Sequence, residues 1–287
     1  MFRLVAWAID AQGSTRSAAL IRVGLAVIAW SRWANELVLF RNPGPKYLLI
    51  ALSFYVSTAL MFVGYRSRFS TAWAAATMLS MYYIGGIYYG REPWTHHHTY
   101  LLGIATLFCA LTPCGRSYSL DRWLSIRKAE QEGTPMPREY GPLWGIRLIS
   151  IQVALVYFWS AYNKLNWGFL SGERMQQLLM YHYFGSDYPD WPLFGAMCLV
   201  SAWMTVLLEF ALCGGLFFAR TRMYLLIPGL LFHGLIYMLF SVYTFTATMW
   251  LLYLAFLDAD AVHDRIDHLQ AGRKPAQKPP VQESARQ

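Results

Sequence analysis

Apolar residues along this chain gather into eight stretches separated by polar connections, at roughly 18–40, 47–65, 71–90, 99–113, 143–165, 195–219, 224–240 and 243–257. Most approach the ~20 residues with which an α-helix crosses a hydrocarbon core of about 30 Å. The stretches at 99–113 and 243–257 are short, so each is expected to be tilted, partly buried or interfacial. The pattern predicts an all-α fold, a polytopic integral membrane helix bundle of about eight transmembrane spans. A transmembrane domain over 17–257 is flanked by an N-terminal segment, 1–16, and a polar tail, 258–287. From Ala271 the tail reads "AGRKPAQKPPVQESARQ", rich in Pro, Lys and Gln, and the tail is expected to be largely disordered.

Composition agrees with the pattern. Of 287 residues, 56% are hydrophobic and only 14% charged, and the mean hydropathy is +0.30. A soluble domain of this size needs more charge to cover its surface. The 12 Trp and 19 Tyr suit the aromatic belts of a membrane protein. Residues 1–19 are interrupted by Arg3, Asp10 and Arg16, so no cleavable signal peptide is expected. Cys109, Cys114, Cys198 and Cys213 lie in or beside predicted spans without metal or disulfide spacing, and read as small apolar fillers.

Charge sets an orientation. With eight spans, one side holds Arg3, Arg16, Arg66, Arg68, Arg116, Arg122, Arg127, Lys128, Arg138, Arg220, Arg222, Arg265, Arg273, Lys274, Lys278 and Arg286. The other holds only Arg41, Lys46, Arg91 and Arg174. Basic residues mark the cytoplasmic side, so both termini are predicted to be cytoplasmic. The net charge of +8 is spread over loops with no stripe that tracks a phosphate backbone, which argues against nucleic acid. Within the inner loop 114–141, "RWLSIRKAEQEG" predicts a short interfacial helix with Trp123, Leu124 and Ile126 toward lipid. The outer connection 166–191 is long, and its "LSGERMQQLLMYHYF" has helical spacing suited to the membrane surface. Around His182 it is polar and aromatic enough either to close over a site or to be an ordinary interfacial loop.

Ionisable residues inside spans are rare and usually face a cavity or a partner. Lys164 ends the fifth stretch and shares a helical stripe with Tyr157 and Ser160, beside a second stripe of Gln152, Val156, Trp159 and Asn163. Two readings of Lys164 fit. It is a snorkelling anchor at the outer surface, or a desolvated amine able to accept a proton. Glu209 and His233 lie about 11 residues either side of the "ARTR" turn, at matched depths on neighbouring antiparallel helices, which predicts a Glu209–His233 hydrogen bond. That intramembrane polar pair is read as a packing device or as part of a relay. Arg22 and Arg147 are expected to snorkel, and Arg32 to pair with Glu36 at i,i+4. "PWTHHHTY" sets three consecutive histidines at an outer helix end; adjacent helical residues diverge by about 100°, so no metal site is predicted.

At these residues the sequence resembles a known family. "VYFWSAYNKLNWGFLSG" looks like the signature of the HTTM domain (horizontally transferred transmembrane domain), shared with vitamin K-dependent gamma-carboxylase. "SAALIRVGLAVIAW" resembles that domain's first span, and "HHHTYLLGIATLFCALTPCGRSYSLDRW" its His-Tyr-Leu helix and following loop. "LLEFALCGGLFFARTRMYLLIPGLLFHGLIYMLF" resembles its Glu helix, basic turn and Phe-His helix. The blocks occur in order across about 17–257.

The resemblance implies a chemistry. In the carboxylase, a lysine of the KL motif deprotonates vitamin K hydroquinone; the anion reacts with oxygen to give a strong base that takes a proton from a peptide glutamate, and carbon dioxide adds. By motif position, Lys164 is implied as that lysine and His98 as the assisting histidine. Tyr157, Ser160, Asn163, Asn166, Trp167 and His97 are the expected substrate- or cofactor-binding positions around them. The implied cofactor is a reduced, vitamin K-like quinone, the implied partners are membrane lipid and a secreted peptide or protein, and the implied location is a bacterial cytoplasmic (inner) membrane. Two departures stand against carboxylation by this chain alone. A short polar tail follows the last span where the carboxylase has a large soluble region, and Asn163–Lys164 replaces its pair of lysines. Three functions therefore stay open: a quinone-using membrane enzyme, a non-catalytic maturation partner for a secreted peptide, and a transporter through Arg32, Glu209 and His233. Against transport, no inverted repeat or matched pair of broken helices is visible.

Overall fold

The computed structural model describes residues 10–38, 44–189, 191–240 and 242–271. Each of the eight predicted stretches coincides with a helix. These are α1 (Arg16–Val38), α2 (Pro45–Val63), α3 (Ser67–Ser80), α4 (His97–Ala110), α6 (Trp144–Asn163), α9 (Phe194–Gly215), α10 (Ala219–Phe240) and α11 (Tyr243–Leu252). Between them lie α5 (Leu120–Glu132), α7 (Trp167–Leu170) and α8 (Glu173–Leu179), and α12 (Ala259–Ala271) ends the described chain. Two short strands, β1 (Gln12–Ser14) and β2 (Tyr140–Pro142), pair antiparallel with Gly13 opposite Gly141.

The chain is a helical membrane protein, but the count of eight spans is not met by length and composition. Among the described residues, three helices, α6, α9 and α10, are long and apolar enough to cross a membrane. A fourth candidate is the pair α11 and α12, which is bent by 98° at its break. The reasons are physical. α3 and α4 each have 14 residues, about 21 Å of rise against a core of about 30 Å. α1 carries Arg16, Arg22, Arg32 and Glu36. α3 does lengthen through a π-helical turn, Met81–Tyr88. The long apolar stretch 47–65 yields only a shorter apolar helix, Tyr47–Val63.

Local sequence explains the helix ends. α2 opens on Pro45, whose missing N–H costs nothing at the first helical position. It closes on Gly64 at φ +73°, with the Gly64 N–H bonded to the Leu60 carbonyl. A Cβ there would also strike the Arg22 guanidinium. α5 is capped by Ser119, whose hydroxyl accepts from the Arg122 N–H at 2.9 Å. Trp123 and Leu124 stand exposed on it, as the interfacial reading expected, while Ile126 is half-buried.

The core lies where α1, α4, α6 and α11 meet, around Ile21, Leu25, Trp33, Leu102, Ile149 and Met249, all fully buried. α2 packs on α1 and α3, α3 on α4, and α9 on α6 and α10. Two expectations change here. Arg22 does not snorkel: it is 0% exposed and donates to the Ser67 hydroxyl at 3.1 Å and the Tyr118 carbonyl at 2.6 Å. The segment after 257 is not all irregular, because 259–271 form α12. Arg16 ties α12 down through Asp267 at 2.6 Å and the His263 carbonyl at 3.1 Å. The remaining tail, residues 1–9 and Arg41 lie outside the described residues. Arg32 and Glu36 do pair at i,i+4, and Glu36 also accepts from the Trp94 indole at 2.6 Å.

Candidate functional site

α6 presents Tyr157, Ser160 and Lys164 on one face, because steps of three and four residues return to the same side of a helix. That face lines a cavity of about 390 Å³. α9 adds Thr205 and Glu209 to it, one turn apart, and α10 adds Phe232, His233 and Ile236. α8 and the π-helical turn after it bring Met175, Leu178 and His182 over the same space. Most of the wall is aromatic or aliphatic, with Lys164, Glu209, Ser160, Thr205, Tyr157, His233 and His182 as its polar groups.

The polar groups form two sets. Lys164 Nζ bonds both oxygens of Glu209, at 2.9 and 2.8 Å, and donates to Ser160 Oγ as well. Ser160 Oγ lies 2.8 Å from the same Glu209 oxygen. With the Ser160 carbonyl at 3.2 Å, four acceptors surround the three protons of the ammonium. The side chains are 24% exposed for Lys164 and 5% for Glu209. At that burial the pair is held by direct charge-assisted bonds with little help from water.

Two turns deeper, the Tyr157 hydroxyl sits 2.7 Å from His233 Nε2 and also bonds the Tyr253 hydroxyl. All three side chains are buried. Among the described residues, His233 Nδ1 has no hydrogen-bond partner. The predicted Glu209–His233 bond is not formed. Both residues face the cavity, but each is taken by a group of α6: Glu209 by Lys164 and Ser160, His233 by Tyr157. Tyr157→Phe removes the shared hydroxyl and leaves His233 and Tyr253 short of a partner. It is expected to cost about 1–2 kcal/mol, read as a lowered unfolding midpoint in detergent.

The other expected positions divide. Asn163 and Asn166 line a separate cleft with Glu173 and Arg174. Asn166 is also the cap of α7, its side-chain oxygen accepting from the Phe169 N–H at 3.0 Å. Trp167 is 81% exposed and does not line the cavity. His97 is exposed and begins α4, and His98 follows it with its ring 5.0 Å from that of His96. Neither His97 nor His98 is among the cavity residues, so Lys164 and His98 do not share that space. The loop around His182 does reach the site. His182 packs on Phe240 at 5.6 Å between rings, and the Tyr183 hydroxyl donates to the Leu239 carbonyl at 2.6 Å.

Glu209 as the partner of Lys164 is the assignment that the sequence pattern missed. The available signal was one acid and one lysine on adjacent apolar stretches. Thr205 and Tyr253 carried no such signal.

A family model described as the HTTM domain matches residues 37–260, well over half of the chain. No curated protein and no solved structure matches it.

Proposed function

The chain belongs to the HTTM domain family, and from that premise we propose that it is a membrane enzyme acting on a reduced quinone or a similar lipid-soluble ring, with the Lys164–Glu209 pair as its base. One observation carries this reading: a hydrogen-bonded ammonium–carboxylate pair set in the wall of an otherwise apolar cavity of about 390 Å³. An apolar pocket with few convergent polar groups is the usual form of a small-molecule site.

The donor set fits such a ring. Phe232, Ile236 and Phe245 offer apolar contact, and Lys164 and Ser160 offer polar atoms to a ring oxygen. When bound, a reduced quinone supplies an acidic hydroxyl and two electrons for oxygen. The protein's own part is to take up one proton. Nζ of Lys164 passes a proton to Oε2 of Glu209 and gains one from the hydroxyl, so the pair ends as an ammonium and a carboxylic acid. Proton handling is thereby assigned to Lys164 and Glu209, not to Lys164 and His98. Met175, Leu178 and His182 keep water from the cavity's outer side. The same reading takes the apolar helices that are long enough as spans of a bacterial inner membrane with both termini cytoplasmic, and a secreted peptide as the final acceptor of the chemistry.

The test is the rate at which the full chain, in nanodiscs, consumes a reduced naphthoquinone in air. A positioned base contributes typically 10²–10⁴-fold. Wild type is expected to exceed Lys164→Met/Glu209→Leu by at least about 100-fold. Equal rates would leave the non-catalytic maturation partner as the better reading.

A further inference from the structure

At the opposite end of α6 lies a second cleft, of about 520 Å³, lined by Arg68, Arg116, Arg122, Arg138, Asp121 and Ser125 among others. Arg138 lies just before β2 and the start of α6, whereas Lys164 follows its end. Twenty residues of helix separate the two ends, about 30 Å at 1.5 Å per residue. The cleft is thus a different place from the Lys164 cavity.

Its charge is unbalanced. Asp121 is the one carboxylate in the lining, and it is already engaged: it accepts from the N–H groups of Arg66 and Ser67, at 2.8 and 2.7 Å, and from the Ser67 hydroxyl at 2.7 Å. Glu139 lies nearby but is shared between Arg16 at 2.8 Å and Arg122 at 3.6 Å. The other contacts of the arginines are to carbonyls: Arg116 to Tyr140, Arg122 to Pro137, and Arg68 to Ala110 at 3.3 Å. Carbonyls orient a guanidinium and leave its charge in place, and each guanidinium has five N–H donors.

We propose that this cleft binds the phosphate group of an anionic phospholipid headgroup. Guanidinium forks match phosphate geometry, and basic pockets between helices on the cytoplasmic side are suited to acidic headgroups. A lipid is favoured over a soluble phosphate ester by the cleft's borders. Phe69 follows Arg68, and Trp123 and Leu124 follow Arg122; all three are exposed apolar side chains. They give acyl chains a surface next to the charge.

The test is native mass spectrometry of the full chain released from micelles holding equal phosphatidylglycerol and phosphatidylcholine. Wild type is expected to retain phosphatidylglycerol at least tenfold in preference. Arg138 is exposed, so Arg68→Gln/Arg138→Gln should fold, and its unfolding midpoint is checked beside wild type. At about 1 kcal/mol per surface arginine, the two changes amount to roughly 30-fold, enough to abolish a tenfold preference. Lys128→Gln, exposed on the same helix and outside the lining, should keep it. Saturable binding of inorganic phosphate that phosphatidylglycerol cannot displace would retain the phosphate chemistry and replace the lipid by a soluble ester. Equal retention of both lipids without phosphate binding would overturn the proposal, as would an equal loss in Lys128→Gln. The wild-type arms decide even if the double variant fails to fold.

Discussion

Lys164→Met is expected to destabilise the protein by about 3–5 kcal/mol, because it strands a buried carboxylate. Glu209 is 5% exposed and takes both of its charge-neutralising bonds from Lys164. Without the ammonium, only the Ser160 hydroxyl remains beside it. The reverse change, Glu209→Gln, should cost distinctly less. Lys164 is 24% exposed at the end of α6, so its four-carbon stem can swing the charge toward water. Removing both charges in Lys164→Met/Glu209→Leu should recover much of the loss, since a buried pair replaced by apolar groups of similar size is often neutral. Unfolding midpoints of the four proteins in one detergent check the order. Equal losses in the two single variants would mean that the pair is hydrated.

The second large effect is expected at Asp121→Ala, again about 3–5 kcal/mol. Its carboxylate accepts three hydrogen bonds, two of them from backbone N–H groups at the start of α3. Bonds to a charged acceptor contribute about 1.5–3 kcal/mol each, and the two N–H groups would lose their cap. The loss also reaches the core. Ser67 links Asp121 to Arg22, whose guanidinium is buried against the Gly64 turn. Asp121→Ala leaves that charge with hydroxyl and carbonyl contacts alone. Asp121→Asn should lose less, because an amide oxygen still caps one N–H. Thermal unfolding followed by circular dichroism separates the two variants.

Much of this architecture was legible in the chain. The eight apolar stretches coincide with eight helices, because a helix of the required length with few charges leaves a plain mark. How many of them cross a membrane was less legible, since apolar runs such as 71–90 divide into an α-helix and a π-helical turn. The shared face of Tyr157, Ser160 and Lys164 followed from spacing alone, and all three line the cavity. The partners across that face did not follow. Counting residues from the turns set Glu209 in mid-span beside His233, and Lys164 at the surface. α9 defeats that count because its N-terminal turns extend past the end of α6. Gly172, at φ +82°, presses against the backbone of Leu199. The chain beyond Lys164 therefore packs alongside those first turns of α9, and Glu209 falls level with Lys164. Arg22 misled for a similar reason. Its sequence position suggests a helix end near water, yet the loop carrying Tyr118 folds over it.

The central claim is that the Lys164–Glu209 cavity holds a lipid-soluble ring, and the most direct measurement is equilibrium binding of a reduced naphthoquinone under anaerobic conditions. Wild type and Lys164→Met/Glu209→Leu would be compared in identical nanodiscs. Saturable binding at one site per chain, weakened at least tenfold in the double variant, is the predicted result. Uptake that never saturates and is the same for both proteins would be partition into lipid, and would contradict it.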